Sequence, residues 1–136
     1  MRRLPLVTLA LLIATAGCAR TLPDQDRRIV STAPDARVSA DILWKDFQTS
    51  RSDAARKYHG AALVVSGNVT AIYQSVIASS IFFGQSGDRG ISAHLLDDSA
   101  MDVVKAATQG QRLTLKCFCE GLDETGNVVL KSCVKP

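Results

Sequence analysis

The sequence has few of the residue types on which catalytic and metal sites depend. Its 136 residues include two histidines and seven aromatic residues, one Trp, two Tyr and four Phe. It contains no Gly-x-Ser-x-Gly, no His-Glu-x-x-His and no phosphate-binding glycine loop. His59 and His94 are not related by any metal-ligand spacing, and Asp97 and Asp98 precede Ser99 as the acidic start of a helix would. The sequence therefore predicts no catalytic residues, no metal site and no cofactor, and we expect the protein not to be an enzyme.

The chain also lacks a large excess of charge of one sign. The formal net charge is +3, but Arg2 and Arg3 belong to an N-terminal segment, and the rest of the chain carries 14 basic and 13 acidic residues. Clustered Lys and Arg supply most of the affinity of proteins for a phosphate backbone. A nearly neutral domain therefore has no general electrostatic basis for binding nucleic acid.

The longest apolar run is too short to cross a membrane. Residues 4–14 are mostly apolar and follow Arg2 and Arg3, but a membrane-spanning helix needs roughly 20 apolar residues. A positive start, a short apolar run and small residues at the end are typical of a secretion signal. We therefore predict that residues 1–17 are a signal peptide that is removed.

Small residues surround the first cysteine: Thr15, Ala16 and Gly17 precede Cys18. This group resembles the lipobox of bacterial lipoproteins, in which the cysteine thiol is acylated and becomes the new N-terminus. The resemblance implies a lipid anchor at Cys18 on the periplasmic side of the cell envelope, and Ala19 in place of Asp favours the outer membrane. Thr15 stands where the lipobox commonly has Leu, so ordinary signal cleavage is the alternative. Several acyl chains would give stable membrane anchoring.

Residues 18–38 have the composition of a linker, with Pro23, Pro34, mixed charges and no sustained apolar period. We predict a flexible tether here. A random coil of this length would hold the domain about 25 Å from the membrane.

Residues 39–136 have the pattern of one domain. The predicted elements are an amphipathic helix over 39–58, strands over 61–73, 76–83 and 90–96, a short helix over 99–108, and strands over 112–120 and 127–134. Ser39 is the predicted cap of the first helix, and Trp44 is predicted to lie in the core. Gly67 marks a sharp bend in the first strand. Five strands with a helix between the third and fourth is the order of the OB-fold, a small Greek-key barrel. The sequence therefore predicts a mainly β fold with α: a five-stranded OB barrel preceded by an amphipathic helix.

A set of small and apolar residues supports this fold: Ala55, Tyr58, Gly60, Val64, Ser66, Gly67 and Val69, then Gly110, Gln111, Cys119, Glu120, Gly121, Val128, Val129, Leu130 and Cys133. This pattern resembles the tRNA_anti-like family of OB-fold envelope proteins over about residues 39–136. The resemblance implies a disulfide between Cys119 and Cys133. The family name reflects a distant fold similarity to anticodon-binding domains and does not imply tRNA binding.

Three cysteines follow the lipobox, and an oxidising compartment allows them one disulfide and one unpaired thiol. A hairpin with Asp123 opposite Asn127 would place Cys117 opposite Cys133, whereas a one-residue shift would favour Cys119. The apolar alternation of the last strand turns Cys133 away from both, so a bulge is required. We predict the Cys119–Cys133 disulfide that the family resemblance implies and leave Cys117–Cys133 as the alternative.

The second and third strands form the usual recognition surface of OB-folds. No Lys or Arg occurs between Tyr73 and Phe83 or between Gly90 and Leu96, although an electrostatic groove is what single-stranded nucleic acid requires. Tyr73 and Phe82 are the predicted ligand-face residues, while the alternation of the strand places Phe83 in the core.

The sequence therefore predicts a lipid-anchored, non-enzymatic binding module of the cell envelope whose partner is an envelope protein or glycan. The alternative is a thiol-based redox or soft-metal protein that uses Cys117 and Cys119, for example with Cu(I). Single-stranded nucleic-acid binding is the weakest of the three hypotheses.

Overall fold

The computed structural model describes residues 21–136. The predicted signal peptide and the predicted lipidation of Cys18 lie outside the described residues. Within residues 21–136, no helix is long and apolar enough to cross a membrane. A short 3-10 helix, Arg27–Val30, precedes the regular elements β1 (Ala36–Ser39), α1 (Ala40–Thr49), α2 (Arg51–Tyr58), β2 (Ala62–Asn68), β3 (Ala71–Gln74), β4 (Ser79–Ser86), β5 (Arg89–Leu95), α3 (Asp97–Ala106), β6 (Arg112–Leu122) and β7 (Val128–Val134).

The strands form one mixed, seven-stranded sheet in the order β1-β2-β6-β7-β5-β4-β3. The number of strands differs from the predicted five for two reasons. The first predicted strand divides into β2 and β3, and β1 arises in the segment predicted to be a tether. Pairing is antiparallel except for β1 with β2 and β5 with β7. The fold is mainly β with three α-helices, as in an OB-like domain.

The chain changes partner strand between β2 and β3. The Val69 amide donates to the Gln111 carbonyl (2.9 Å) at the β6 side, and the next amide, that of Thr70, donates to the Phe82 carbonyl of β4 (2.9 Å). The sequence predicts the bend at Gly67, but the chain bends two residues later, at Val69 and Thr70. Gly67 has a different role, because a Cβ there would stand 2.6 Å from the Cβ of Ala40. Only a residue without a side chain lets α1 approach β2 this closely.

The predicted amphipathic helix is divided in two at Ser50. Ser39 caps α1 by accepting a hydrogen bond from the Ile42 amide (3.2 Å), as the sequence predicts. Ser50 caps α2 in the same way through the Asp53 amide (3.3 Å). The apolar face of α1 packs on the inner side of the sheet, and Trp44 lies in the core as predicted.

The segment predicted to be a tether packs against the domain. We call residues 22–35 the docked segment. Ile29 is fully buried on the outer side of the sheet, in a small second core with Ala62, Leu96, Phe118 and Val134. The Lys131 Nζ donates to the Leu22 carbonyl (2.9 Å). The tether prediction is therefore wrong for this part of the chain, because an irregular segment rich in charge can still find distant hydrogen-bond partners.

Ser132 provides the central contact of the docked segment. Its hydroxyl accepts from the Asp26 amide (2.7 Å) and donates to the Asp24 carbonyl (2.8 Å). Ser132 is fully buried and has a left-handed backbone, with φ of 56°. Because β7 forms a bulge at this residue, its side chain can face the docked segment instead of the sheet interior.

Candidate ligand-binding face

The residues predicted to form a recognition surface lie together on the outer side of β3, β4 and β5. Tyr73 pairs with Ser80, which pairs with His94 on the next strand. A second row places Ala71, Phe82 and Ser92 side by side. Directly paired residues share a face of the sheet, and the intervening residues, including Phe83, are buried. We call Tyr73, Ser80, Phe82, Ser92 and His94 the ligand face.

A cleft of about 370 Å³ lies over one half of this face. Tyr73, Ser80 and His94 line it together with residues of the loop that joins β3 to β4. The Tyr73 side chain is 60% exposed, so its ring is available for contact. Phe82 is partly buried and lies diagonally across from Tyr73, at a spacing of about 7–8 Å between the backbones. His94 Nε2 lies 3.3 Å from the Ser92 hydroxyl.

The loop beside this cleft carries an apolar tip. Val76 and Ile77 are almost completely exposed, and the Ser75 amide donates to the Ala78 carbonyl (2.9 Å) to close the turn. The sequence prediction placed these two residues in a strand, because a β-branched pair before an apolar run is typical of one. No charged residue occurs between Lys57 and Asp88. Apart from His94, the lining of the cleft and the loop tip therefore contain no Lys, Arg, Asp, Glu or His residue.

Lys131 of β7 lies near His94, beside the ligand face, and two carboxylates neutralise its charge. Lys131 Nζ lies 2.5 Å from Glu120 Oε2 and 2.9 Å from Asp24 Oδ1. Burial alone would lower the pKa of Lys131, but its two acidic partners outweigh that effect and raise the pKa. Lys131 therefore stays protonated, and its charge is already paired within the protein.

The cysteines do not pair as predicted. Cys117 and Cys133 form the disulfide, with their Cα atoms 4.3 Å apart, and Cys119 is buried and unpaired. The Asp123 amide donates to the Asn127 carbonyl (2.9 Å), which is the hairpin register that places Cys117 opposite Cys133. The prediction of a Cys119–Cys133 bridge is wrong, and the alternative that followed from the hairpin register is confirmed.

Two bulges shift the register of the β6–β7 hairpin and then restore it, so that Cys117 lies opposite Cys133. Between Cys119 and Gly121, β6 holds one extra residue, and the pairing shifts by one. Between Lys131 and Val134, β7 holds one extra residue, and the pairing shifts back. The second bulge also turns Cys133 to the inner side, which the apolar alternation of β7 alone would not do.

The two-thiol site proposed as an alternative is absent from the described structure, because Cys117 is already bonded to Cys133. Burial raises the pKa of the remaining Cys119 thiol to about 12. A buried neutral thiol is a poor nucleophile and a poor metal ligand. Among residues 21–136, no three His, Cys, Asp or Glu side chains come together in a way that would hold a metal ion.

Comparison with known proteins supports the family assignment. The family model described as tRNA_anti-like matches residues 1–134. No curated protein matches the chain. Among solved structures, the chain is similar to a crystal structure from Klebsiella pneumoniae subsp. pneumoniae MGH 78578, described as a "putative nucleic acid-binding lipoprotein". The TM-score is 0.57 at 14% sequence identity, and the match covers 79% of this chain and 94% of that chain. At this identity the likeness shows the fold alone. Since the family model covers nearly the whole length, the chain belongs to the tRNA_anti-like family.

Proposed function

We propose that the protein is a lipid-anchored, non-enzymatic binding module of the bacterial cell envelope, and that its ligand face holds an uncharged segment of an envelope protein or glycan. One observation carries the binding role: an exposed aromatic ring, Tyr73, stands in a cleft next to an apolar loop tip, in a stretch of chain without charge. Monomeric proteins seldom expose such a group of apolar side chains without a binding role.

The anchor would be the acylated Cys18, facing the periplasm and held in the outer membrane. The description of the Klebsiella structure as a lipoprotein supports this location. The docked segment changes the geometry of anchoring. Only three residues lie between Cys18 and Leu22, whose carbonyl accepts a hydrogen bond from Lys131, and the extended chain from Cys18 to Leu22 spans at most about 14 Å. The domain would therefore lie close to the membrane surface instead of about 25 Å away.

We also infer that the strands form a five-stranded OB barrel in which β2 and β3 are the two halves of the first strand. The support is the two-residue connection at Val69 and Thr70, which carries the chain from β6 to β4. In this arrangement β1 is an addition to the barrel. The ligand face then corresponds to the second and third barrel strands, where OB-folds commonly bind ligands.

The second candidate function is single-stranded nucleic-acid binding, which the description of the Klebsiella structure favours. Tyr73 and Phe82 have the side chains that stack on bases. Stacking alone is the weaker part of such an interface, which also needs cations along the backbone. The paired charge of Lys131 therefore favours an uncharged ligand.

The test compares the full-length wild type with a Tyr73→Ala, Phe82→Ala double variant and with Val30→Ser. Val30 is 63% exposed and lies outside the ligand face, so it is a matched control for loss of an exposed apolar side chain. Pull-downs from envelope extracts should recover a partner with the wild type and the control but not with the double variant. Equal recovery by all three proteins would contradict the binding role.

Two further measurements separate the candidates. Fluorescence anisotropy with a single-stranded oligonucleotide should show no saturable binding near 0.15 M salt; saturable binding lost in the double variant would establish the second candidate instead. The intact mass of the membrane-extracted protein should include a diacylglyceryl group on a chain that begins at Cys18. An unlipidated mass would remove the anchor from the proposal.

A further inference from the structure

A second concave surface lies at the other end of the sheet, on the outer side of β1, β2 and β6. Arg37 pairs with Val64, which pairs with Lys116 on β6, and Arg112 pairs with Asn68 at the end of β2. A cleft of about 390 Å³ opens here, lined by Arg37, Ser39, Val64, Ser66, Arg112 and Thr114. We call this the cationic cleft. Because β1 and β3 are opposite edges of the sheet, it is separate from the ligand face.

The positive charges of this cleft are not neutralised by the protein. Among residues 21–136, the basic partners in ion pairs are Arg27, Arg28, Arg56, Lys57 and Lys131. Neither Arg37 nor Arg112 pairs with a carboxylate in that part of the chain. Lys116 does not line the cleft, because its Nζ donates to the carbonyls of Val30 (3.2 Å) and Thr32 (3.1 Å) in the docked segment.

The lining of the cleft also offers a hydroxyl donor, in a row of the sheet that lies between the row of Arg37 and the row of Arg112. Ser66 Oγ and Thr114 Oγ1 lie 2.7 Å apart, and either can be the donor. Whichever hydroxyl accepts this hydrogen bond keeps its own hydrogen for a further acceptor. Guanidinium groups provide planar pairs of N–H donors that match the oxygens of phosphate. The cleft thus combines a hydroxyl donor with two guanidinium groups that have no carboxylate partner among residues 21–136, in a protein whose charges otherwise nearly balance.

We propose that the cationic cleft binds a single phosphate group of a small molecule or a lipid headgroup, with Arg37 and Arg112 as its charged ligands and the Ser66–Thr114 pair as its neutral donor. Two arginines supply the charge for one phosphate group, and the rest of the cleft leaves room for the molecule that carries it. A nucleic-acid backbone would instead need a row of cations along several phosphates. The proposed site does not depend on the ligand face or on its ligand.

The first experiment titrates inorganic phosphate into the full-length protein in zwitterionic detergent and follows backbone amide shifts by NMR. We expect shifts at Arg37, Ser66 and Arg112 that saturate with phosphate. An Arg37→Gln, Arg112→Gln variant should bind phosphate at least about tenfold more weakly, since it loses two charge-assisted contacts. Arg56→Gln is the matched control, because Arg56 is an exposed arginine already paired with Asp53; its phosphate affinity should equal that of the wild type.

Equal phosphate affinity in the double variant and the wild type would overturn the proposal, provided that their amide spectra show the same fold. So would saturating shifts that map to another part of the surface. Flotation with phosphatidylglycerol vesicles identifies the source of the phosphate. Vesicle binding lost in the double variant assigns a lipid headgroup, whereas phosphate binding without vesicle binding assigns a soluble phosphate compound. Oligonucleotide binding through these arginines would also overturn the proposal if the plot of log binding constant against log salt concentration shows the release of several ions. The cleft would then be part of a nucleic-acid site.

Discussion

Replacing Ser132 should release the docked segment from the domain. The Ser132→Ala variant keeps the backbone position but leaves the buried Asp26 amide without its acceptor and the Asp24 carbonyl without its donor. A buried donor without a partner costs about 1–3 kcal/mol. We therefore expect the free energy of unfolding to fall by about 2 kcal/mol. If the docked segment detaches first, the loss is smaller but the segment becomes accessible.

The companion variant Ser132→Gly separates the hydroxyl from the backbone strain. Both variants lose the same hydrogen bonds, but glycine adopts the left-handed backbone at this position without the penalty of about 1 kcal/mol that a side chain carries. Ser132→Gly should therefore be more stable than Ser132→Ala by about that amount. Ser31→Ala is the control, because the Ser31 hydroxyl makes only a long, exposed contact to the Arg28 carbonyl (3.4 Å).

Two assays report on the two possible outcomes. Urea denaturation measures the loss of global stability, and limited trypsin digestion measures access to Arg27 and Arg28 in the docked segment. We expect Ser132→Ala to unfold at lower urea and to be cut faster at these arginines, and Ser31→Ala to behave as the wild type. The reasoning is refuted if Ser132→Ala matches the wild type in both assays, or if Ser132→Gly is the less stable of the two variants.

Three further predictions concern the core. At pH 8, alkylation of the folded protein should leave Cys119 unlabelled, because burial raises its pKa to about 12; since the unfolded thiol loses its proton near pH 9, stability should fall as the pH rises from about 9 to 12 in urea titrations of the wild type but not of Cys119→Ala. Reducing the Cys117–Cys133 bridge, which spans a sequence separation of 16, should lower the free energy of unfolding by about 3 kcal/mol, and an unchanged urea midpoint under reductant would contradict its structural role. Gly67→Ala should cost about 1–3 kcal/mol by overpacking, since the new Cβ would meet that of Ala40 at 2.6 Å; a melting temperature equal to the wild type would show that α1 moves freely.

The predictions from sequence were accurate where a local pattern specifies a local structure. Ser39 caps α1, Trp44 and Phe83 lie in the core, and the short helix between the third predicted strand and the fourth is present as α3. Tyr73 and Phe82 lie on one outer face as predicted, since alternation along a strand decides which side chains point inward. The apolar loop tip was missed because the same β-branched residues also favour a strand.

The sequence by itself determined much of the composition of the core, the helix between β5 and β6, and the near balance of charge, because each depends on residue type and short-range spacing. The tertiary structure alone decided which cysteine pairs with Cys133, since two bulges far apart in the hairpin must cancel. It also decided that residues 22–35 dock on the sheet, where Ser132 meets Asp26 across 106 positions. In the same way, it brought Arg37 and Arg112 to one cleft. Contacts between residues so distant in the chain leave no periodic signal in the sequence, because the folded backbone alone brings them together.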